Sequence, residues 1–421
     1  MQRNKRVVRH TNVRCYAGRL QCASRYGTFR VTTARKHQGG LRDMLCARHS
    51  LSMAVIGTLA LLVASAARAR EPAAVWFAPA PETPDYTDLF TKPQLWPKAR
   101  QRVDVIELGP GQAFTRADVI NDLATLQGVD AYRKMQQWNI DIAIDAPSVK
   151  EWDCSGHGDT KDSRVRGNAQ AATLSYIKNV YTTGAHVKYI VMEEPLLSGF
   201  GVEFCHDTMD AVAAKTAAYA KAILADPNIP AWAPGLAVGD AEVYPRMTPD
   251  QLIRWIRLLE QNGYKPAFFH LDVAVKYLDI HAREFNFNRD IRALQSFFKA
   301  QGIPFGIIFW SGHEPEPTDA SYYNHVVSWA QRVHAAIGAP DQSIIQSWVP
   351  RASTKCTSWS GTVAPTVAGV ACNPANKFMC SPADPPYCGK KSVPINVPEN
   401  NPSVFSHTRL INTVTEILHG R

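Results

Sequence analysis

The chain has 421 residues, 45% of them hydrophobic and 20% charged, and carries a formal net charge of +9. The basic excess sits at the N-terminus: residues 1–69 hold 13 Lys/Arg against a single Asp/Glu, so the remainder is net −3. That excludes a nucleic-acid partner read from charge, and the roughly 350 remaining residues suffice for one large α/β domain.

Residues 1–43 are Arg-rich, poor in acids and without apolar periodicity. They read as a basic leader or an upstream mis-assigned start, with Met44 or Met53 as the initiator. Leu51 to Ser65 is apolar or small, follows Arg48, and is succeeded by Ala67-Arg68-Ala69. This is the layout of a secretory signal peptide over residues 44–69, too short for a confident membrane span. The expectation is a secreted or periplasmic protein, monomeric and off the membrane after signal cleavage, with residues 70–421 as a single domain.

Short apolar runs then alternate with helical patterns. Strands are predicted at Val75–Ala78, Val103–Leu108, Ile140–Asp145, Tyr189–Glu193, Leu236–Asp240, Phe268–Val273, Phe305–Trp310 and Ile344–Trp348. Such near-continuous apolar runs suit parallel strands buried on both faces. Between them, Thr248-Pro249-Asp250 opens a helix: Thr as N-cap, Pro at the first position and Asp at the positive dipole end. Leu252, Ile253, Ile256 and Leu259 form its apolar face before Asn262-Gly263 stops it. Asn288 is the expected cap of a second helix ending at Gly302. Met209–Ala225, Tyr322–Ile337 and Phe405–Leu418 carry the same period. Eight strands alternating with helices predict a (β/α)8 TIM barrel. The competing open sheet lacks the G-x-G-x-x-G of a dinucleotide site.

Arg351 to Pro402 breaks the rhythm, being Pro-, Ser- and Cys-rich. It reads as a long loop insertion after strand eight. Six cysteines follow the leader: Cys154, Cys205, Cys356, Cys372, Cys380 and Cys388. An even count in an exported chain predicts disulfides. A Cys154–Cys205 bridge fits adjacent loops after strands three and four. The last four lack the C-x2-C pairs of a zinc ribbon, and neither a metal nor a cofactor is expected.

The chemistry gathers at strand ends. Glu107, Asp145, Glu193, Glu194, Asp240, Glu242 and Asp272 all lie at or near the predicted C-terminal ends, where barrels of this class place their active sites. Alternation puts Asp240 and Glu242 on one side, His270 and Asp272 on one side, and Glu193 and Glu194 on opposite sides. Clustered carboxylates repel and raise one another's pKa values. Glycoside hydrolysis uses such a set, one carboxylic acid protonating the leaving oxygen while an ionised one attacks or activates water. Trp152, Tyr244, Trp310 and Trp348 lie at or just past strand ends and offer faces for sugar rings.

Met192-Glu193-Glu194-Pro195 closes strand four. Its Glu194-Pro195 resembles the Asn-Glu-Pro acid/base motif of the clan-A glycoside hydrolases, retaining (β/α)8 enzymes acting on β-linked saccharides. The chain is also similar to uncharacterised secreted bacterial barrel proteins with an acidic-Glu-Pro-Leu stretch after strand four. The resemblance implies a saccharide substrate and Glu194 as general acid. Glu193 stands where the clan has Asn, and strand seven has no carboxylate before Glu314 where the clan has its nucleophile. The second catalytic carboxylate is therefore left between Asp272 and Glu242, with Glu314 third. Glu107, Asp145, Glu193, Asp240, Tyr244, His270, Trp310 and Trp348 are the expected substrate contacts. Two other functions fit the same residues. One is a divalent-metal-dependent sugar isomerase or lyase, using Asp145, Glu194, Glu242, His270 and Asp272. The other is a non-catalytic saccharide-binding barrel.

Overall fold

The protein is described from a computed structural model, over residues 74–81, 83, 85–115, 121–146, 169–201, 205–312, 319–346, 366–367, 370–371, 399–402 and 405–420. Pro72–Arg421 is one compact unit. The leader, the signal-peptide segment and nearly all of the Cys-rich insertion lie outside the described residues; within that insertion Thr366–Val367 pairs antiparallel with Val370–Ala371.

Eight parallel strands close into a barrel in chain order. They are β1 (Ala74–Ala78), β2 (Val105–Leu108), β3 (Asp141–Ala146), β4 (Val187–Glu193), β5 (Ala237–Tyr244), β6 (Phe269–Val273), β7 (Phe305–Phe309) and β8 (Gln342–Gln346). Traced from strand to strand, the register returns to β1 displaced by about eight residues, the shear of a (β/α)8 barrel. The main surrounding helices are α1 (Pro97–Arg102), α2 (Ala131–Gln137), α3 (Ala169–Tyr181), α4 (Pro195–Phe200), α5 (Met209–Leu224), α6 (Pro249–Gln261), α7 (Val275–Ile280), α8 (Phe287–Gln301), α9 (Asp319–Ile337) and α10 (His407–His419).

Local sequence explains the helix starts. Thr248 and Gln251 form a reciprocal capping box, with Thr248 N–H donating to Gln251 Oε1 at 2.8 Å and Gln251 N–H to Thr248 Oγ1 at 3.3 Å. The second expected cap shifts: Asn286, not Asn288, caps α8, its Oδ1 accepting from Arg289 N–H at 3.1 Å. Both asparagines have the right chemistry, but Asn286 leaves Phe287 buried against Trp329, ring centroids 5.0 Å apart. The final helix closes the ring onto the first. Glu399 accepts from the Lys98 and Ala99 amides at the start of α1, both at 2.8 Å, and Arg102 donates to Asn412 O on α10 at 2.7 Å.

Two apolar layers result. Outside the sheet, Phe269 and Phe305 stack with Phe298 of α8 at 4.3 and 5.2 Å. Inside, Trp76, Tyr189, Phe268 and His270 fill the lumen, with centroids 4.7 to 5.9 Å apart. These rings require glycine opposite them. A Cβ on Gly239 would meet the Phe268 ring at 2.3 Å, and one on Gly306 would meet His270 at 2.7 Å. Gly239→Ala is accordingly expected to destabilise the barrel by about 1–3 kcal/mol through overpacking. Urea unfolding tests this, and an unchanged midpoint would contradict the packing described.

Candidate functional site

Which side chains enter the barrel follows from the register, because paired residues on neighbouring strands share a face. Trp76 pairs with Val105, Glu107 with Ala143, Ala143 with Tyr189, Asp145 with Val191, and Glu193 with Ala241. Ala241 pairs with His270, Val243 with Asp272, and His270 with Gly306. Since Trp76, Tyr189 and His270 are lumen residues, so are Glu107, Asp145, Glu193 and Asp272. Near the C-terminal mouth of the barrel, the inner face therefore carries carboxylates from β2, β3, β4 and β6.

Glu107 and Asp272 are the buried members of this set. Glu107 is 9% exposed. Its carboxyl is pushed up to about 8, first by burial and then by the charge of Glu193. At neutral pH it is a protonated acid, able to donate. Across the mouth, Asp272 Oδ1 accepts the indole N–H of Trp310 at 2.6 Å, which fixes both side chains. Deeper in the lumen, His270 Nε2–H donates to Gln342 Oε1 at 2.7 Å. Burial lowers the imidazole to about 3, so His270 is neutral and belongs to the packed interior more than to the mouth.

The β5 acids correct the expectation from sequence. The strand does not end at Asp240; it runs on to Tyr244, and its inward residues are Ala237, Gly239, Ala241 and Val243. Asp240, Glu242 and Tyr244 face the helices. Asp240 Oδ2 accepts from Trp255 Nε1 of α6 at 2.7 Å, and Tyr244 donates to Asp290 of α8 at 2.9 Å. Glu242 accepts two backbone N–H groups from α4. None of the three lines the mouth. Glu194 is the N-cap of α4 with a left-handed backbone, φ 48°, and its charge raises Glu242. The set expected to hold a divalent ion is thus divided between two faces of the sheet. Among the described residues, no three His, Cys, Asp or Glu side chains are grouped to hold a metal ion.

Trp152, Glu314 and Trp348 lie outside the described residues. Cys205, beyond β4, is disulfide-bonded; its expected partner Cys154 is also outside them. No described helix is long and apolar enough to cross a membrane. A surface groove of about 540 Å³ lies off the barrel axis, lined among others by Phe285, Phe287, Arg289 and Arg332, and it contains none of the mouth carboxylates.

The buried acids behind β5 make stability depend on pH. Burial raises Asp240 to about 8, opposed by the Trp255 hydrogen bond. Burial and then Asp240 raise Glu242 well above the usual range, opposed by its two backbone bonds. Unfolded carboxyls titrate near 4. Stability from the raised Asp240 is therefore complete below about pH 4 and is lost as pH rises through about 8, and Glu242 acts in the same direction. Asp240→Asn is expected to flatten the fall in unfolding free energy between about pH 5 and pH 8. Urea melts at the two pH values test this, and an undiminished fall would place the dependence elsewhere.

No protein-family model matches the chain, and no curated protein matches it. Solved structures resemble the chain at low identity. A glucosidase from Croceicoccus marinus is 13% identical over 68% of this chain and 60% of that one, with a TM-score of 0.37. The catalytic domain of a beta-amylase from Paenibacillus polymyxa is 9% identical over 66% and 92%, TM-score 0.40. A D-psicose 3-epimerase is 15% identical over 67% and 87%, TM-score 0.35. The chain spans about 60% of the length of that glucosidase. At these scores the likeness adds nothing to the barrel already visible in the strand register.

Proposed function

We propose that the mouth of the barrel is a carboxylate acid/base site that cleaves a glycosidic bond. The observation that carries this reading is the pair Glu107 and Glu193, which share the inner face at the C-terminal ends of β2 and β4, with Glu193 raising the Glu107 carboxyl. Glu107 holds a proton at neutral pH and is the general acid. Glu193 is the carboxylate partner that attacks the anomeric carbon or activates water. Asp145 and Asp272 are hydroxyl acceptors, and Trp310, held by Asp272, offers a ring to the sugar. The reading keeps a saccharide substrate and moves the acid from Glu194 to Glu107. The disulfide at Cys205 suits an exported protein.

A non-catalytic saccharide-binding barrel is the second reading. It is favoured by β7, which ends at Phe309 with Trp310 next and carries no carboxylate. Incubation with end-labelled β-linked oligosaccharides separates the two. Hydrolysis by the wild-type protein is expected, with Glu194→Gln reducing the rate by less than about tenfold and Glu107→Gln by at least ~100-fold. Binding of oligosaccharides with no cleavage would establish the second reading instead.

A further inference from the structure

The turn between β4 and α4 is strained and held from behind. Glu194 adopts φ 48° and ψ 45° without glycine's freedom. Left-handed backbone costs an L-residue on the order of 1–2 kcal/mol and persists where the surroundings over-determine it. Three hydrogen bonds do so here, and all of them reach β5. Glu194 N–H donates to Ala241 O at 2.8 Å. Leu196 N–H donates to Glu242 Oε1 at 2.5 Å and Leu197 N–H to Glu242 Oε2 at 3.1 Å.

Glu242 is wholly buried, and it sits on the opposite face of the sheet from the mouth. The titratable groups that act on it are Asp240, on its own strand, and Glu194, on the turn it holds. Among the described residues, no Lys or Arg pairs with it. A buried carboxylate between two others is unfavourable, and an apolar residue of similar volume would serve packing at least as well. What an apolar residue cannot do is accept both amides of the first turn of α4.

We propose that Glu242 is a positioning residue: from behind the barrel wall it clamps the β4–α4 turn and so fixes how Glu193 is presented to Glu107. This rests on the reading of Glu107 and Glu193 as the working pair. Glu242→Gln preserves volume and removes one acceptor oxygen. Two readouts follow by NMR: exchange of the Leu196 and Leu197 amides, and titration of the carbon-13-labelled Glu107 carboxyl, assigned with Glu107→Gln. In Glu242→Gln, the two amides are expected to exchange at least tenfold faster while Leu258 and Leu259 of α6 are unchanged, and the Glu107 midpoint is expected to fall as Glu193 loses its placement. The proposal is overturned if all four amides lose protection alike and the Glu107 midpoint stays where it was. Should Glu242→Gln not fold, Glu242→Leu removes the buried carboxyl together with the clamp and gives the same comparison. In the wild-type chain, Leu196 and Leu197 must be as protected as α6; free exchange there overturns the clamp whatever the variants do. Failure of the hydrolase reading shows separately, as a wild-type protein inert on every oligosaccharide with both NMR results intact.

Discussion

Replacing Glu107 with glutamine is expected to cost at least ~100-fold in hydrolysis of a natural glycan, the usual scale for losing a general acid. The reason is positional before it is electrostatic. Glu107 stands on the inner face near the end of β2, 9% exposed, with its proton retained by burial and by Glu193. Glutamine keeps the shape and cannot deliver a proton. An aryl glycoside with an activated leaving group needs little protonation and should lose far less. Equal losses on the two substrates would show that Glu107 is not the acid. The fold should be unaffected, because a neutral amide replaces a group that is itself neutral below about pH 8.

Glu193→Gln is expected to be at least as damaging, and differently. It removes the partner side chain that attacks or activates water, so glycan and activated aryl glycoside should both lose at least ~100-fold. It also removes the negative charge that raises Glu107. The sign is fixed: without that charge the Glu107 carboxyl releases its proton more readily, and its midpoint moves below about 8. Carbon-13 titration of Glu107 in the variant measures this. An unmoved midpoint would mean that the two carboxylates do not act on one another, and the pair would have to be abandoned as a unit.

Much of the architecture was legible from residue pattern. The apolar runs marked all eight strands, and Thr248-Pro249-Asp250 marked the start of α6 because its cap is built from adjacent residues. Alternation also placed Asp240 with Glu242. What alternation cannot supply is which of the two faces is inside. On β5 that choice depends on partners far away in sequence. Phe268 and Tyr189 occupy the lumen and force Gly239 inward, while the indole of Trp255 and the amides of Leu196 and Leu197 await Asp240 and Glu242 outside. One signal was present in the sequence: Gly239, Ala241 and Val243 are small enough to face a lumen crowded with rings. The same limit applies at the end of β4. Here the strand ends on Glu193, and Glu194 belongs to the turn, so the carboxylate one residue before the motif's own glutamate is the one turned inward. Asn288 lost the cap of α8 to Asn286 because burial of Phe287, which pattern alone does not weigh, set the first turn.

The pH dependence of kcat/KM tests the paired-carboxylate site most directly, measured on a β-linked oligosaccharide with an unactivated leaving group. Activity requires Glu107 protonated, so it should be retained below its midpoint and lost as pH rises through about 8. In Glu107→Gln, followed on an activated aryl glycoside, that alkaline limb should be absent. A rate that stays level through pH 8 in the wild type, or an alkaline limb that survives in Glu107→Gln, would contradict the assignment of Glu107 as the acid of this barrel.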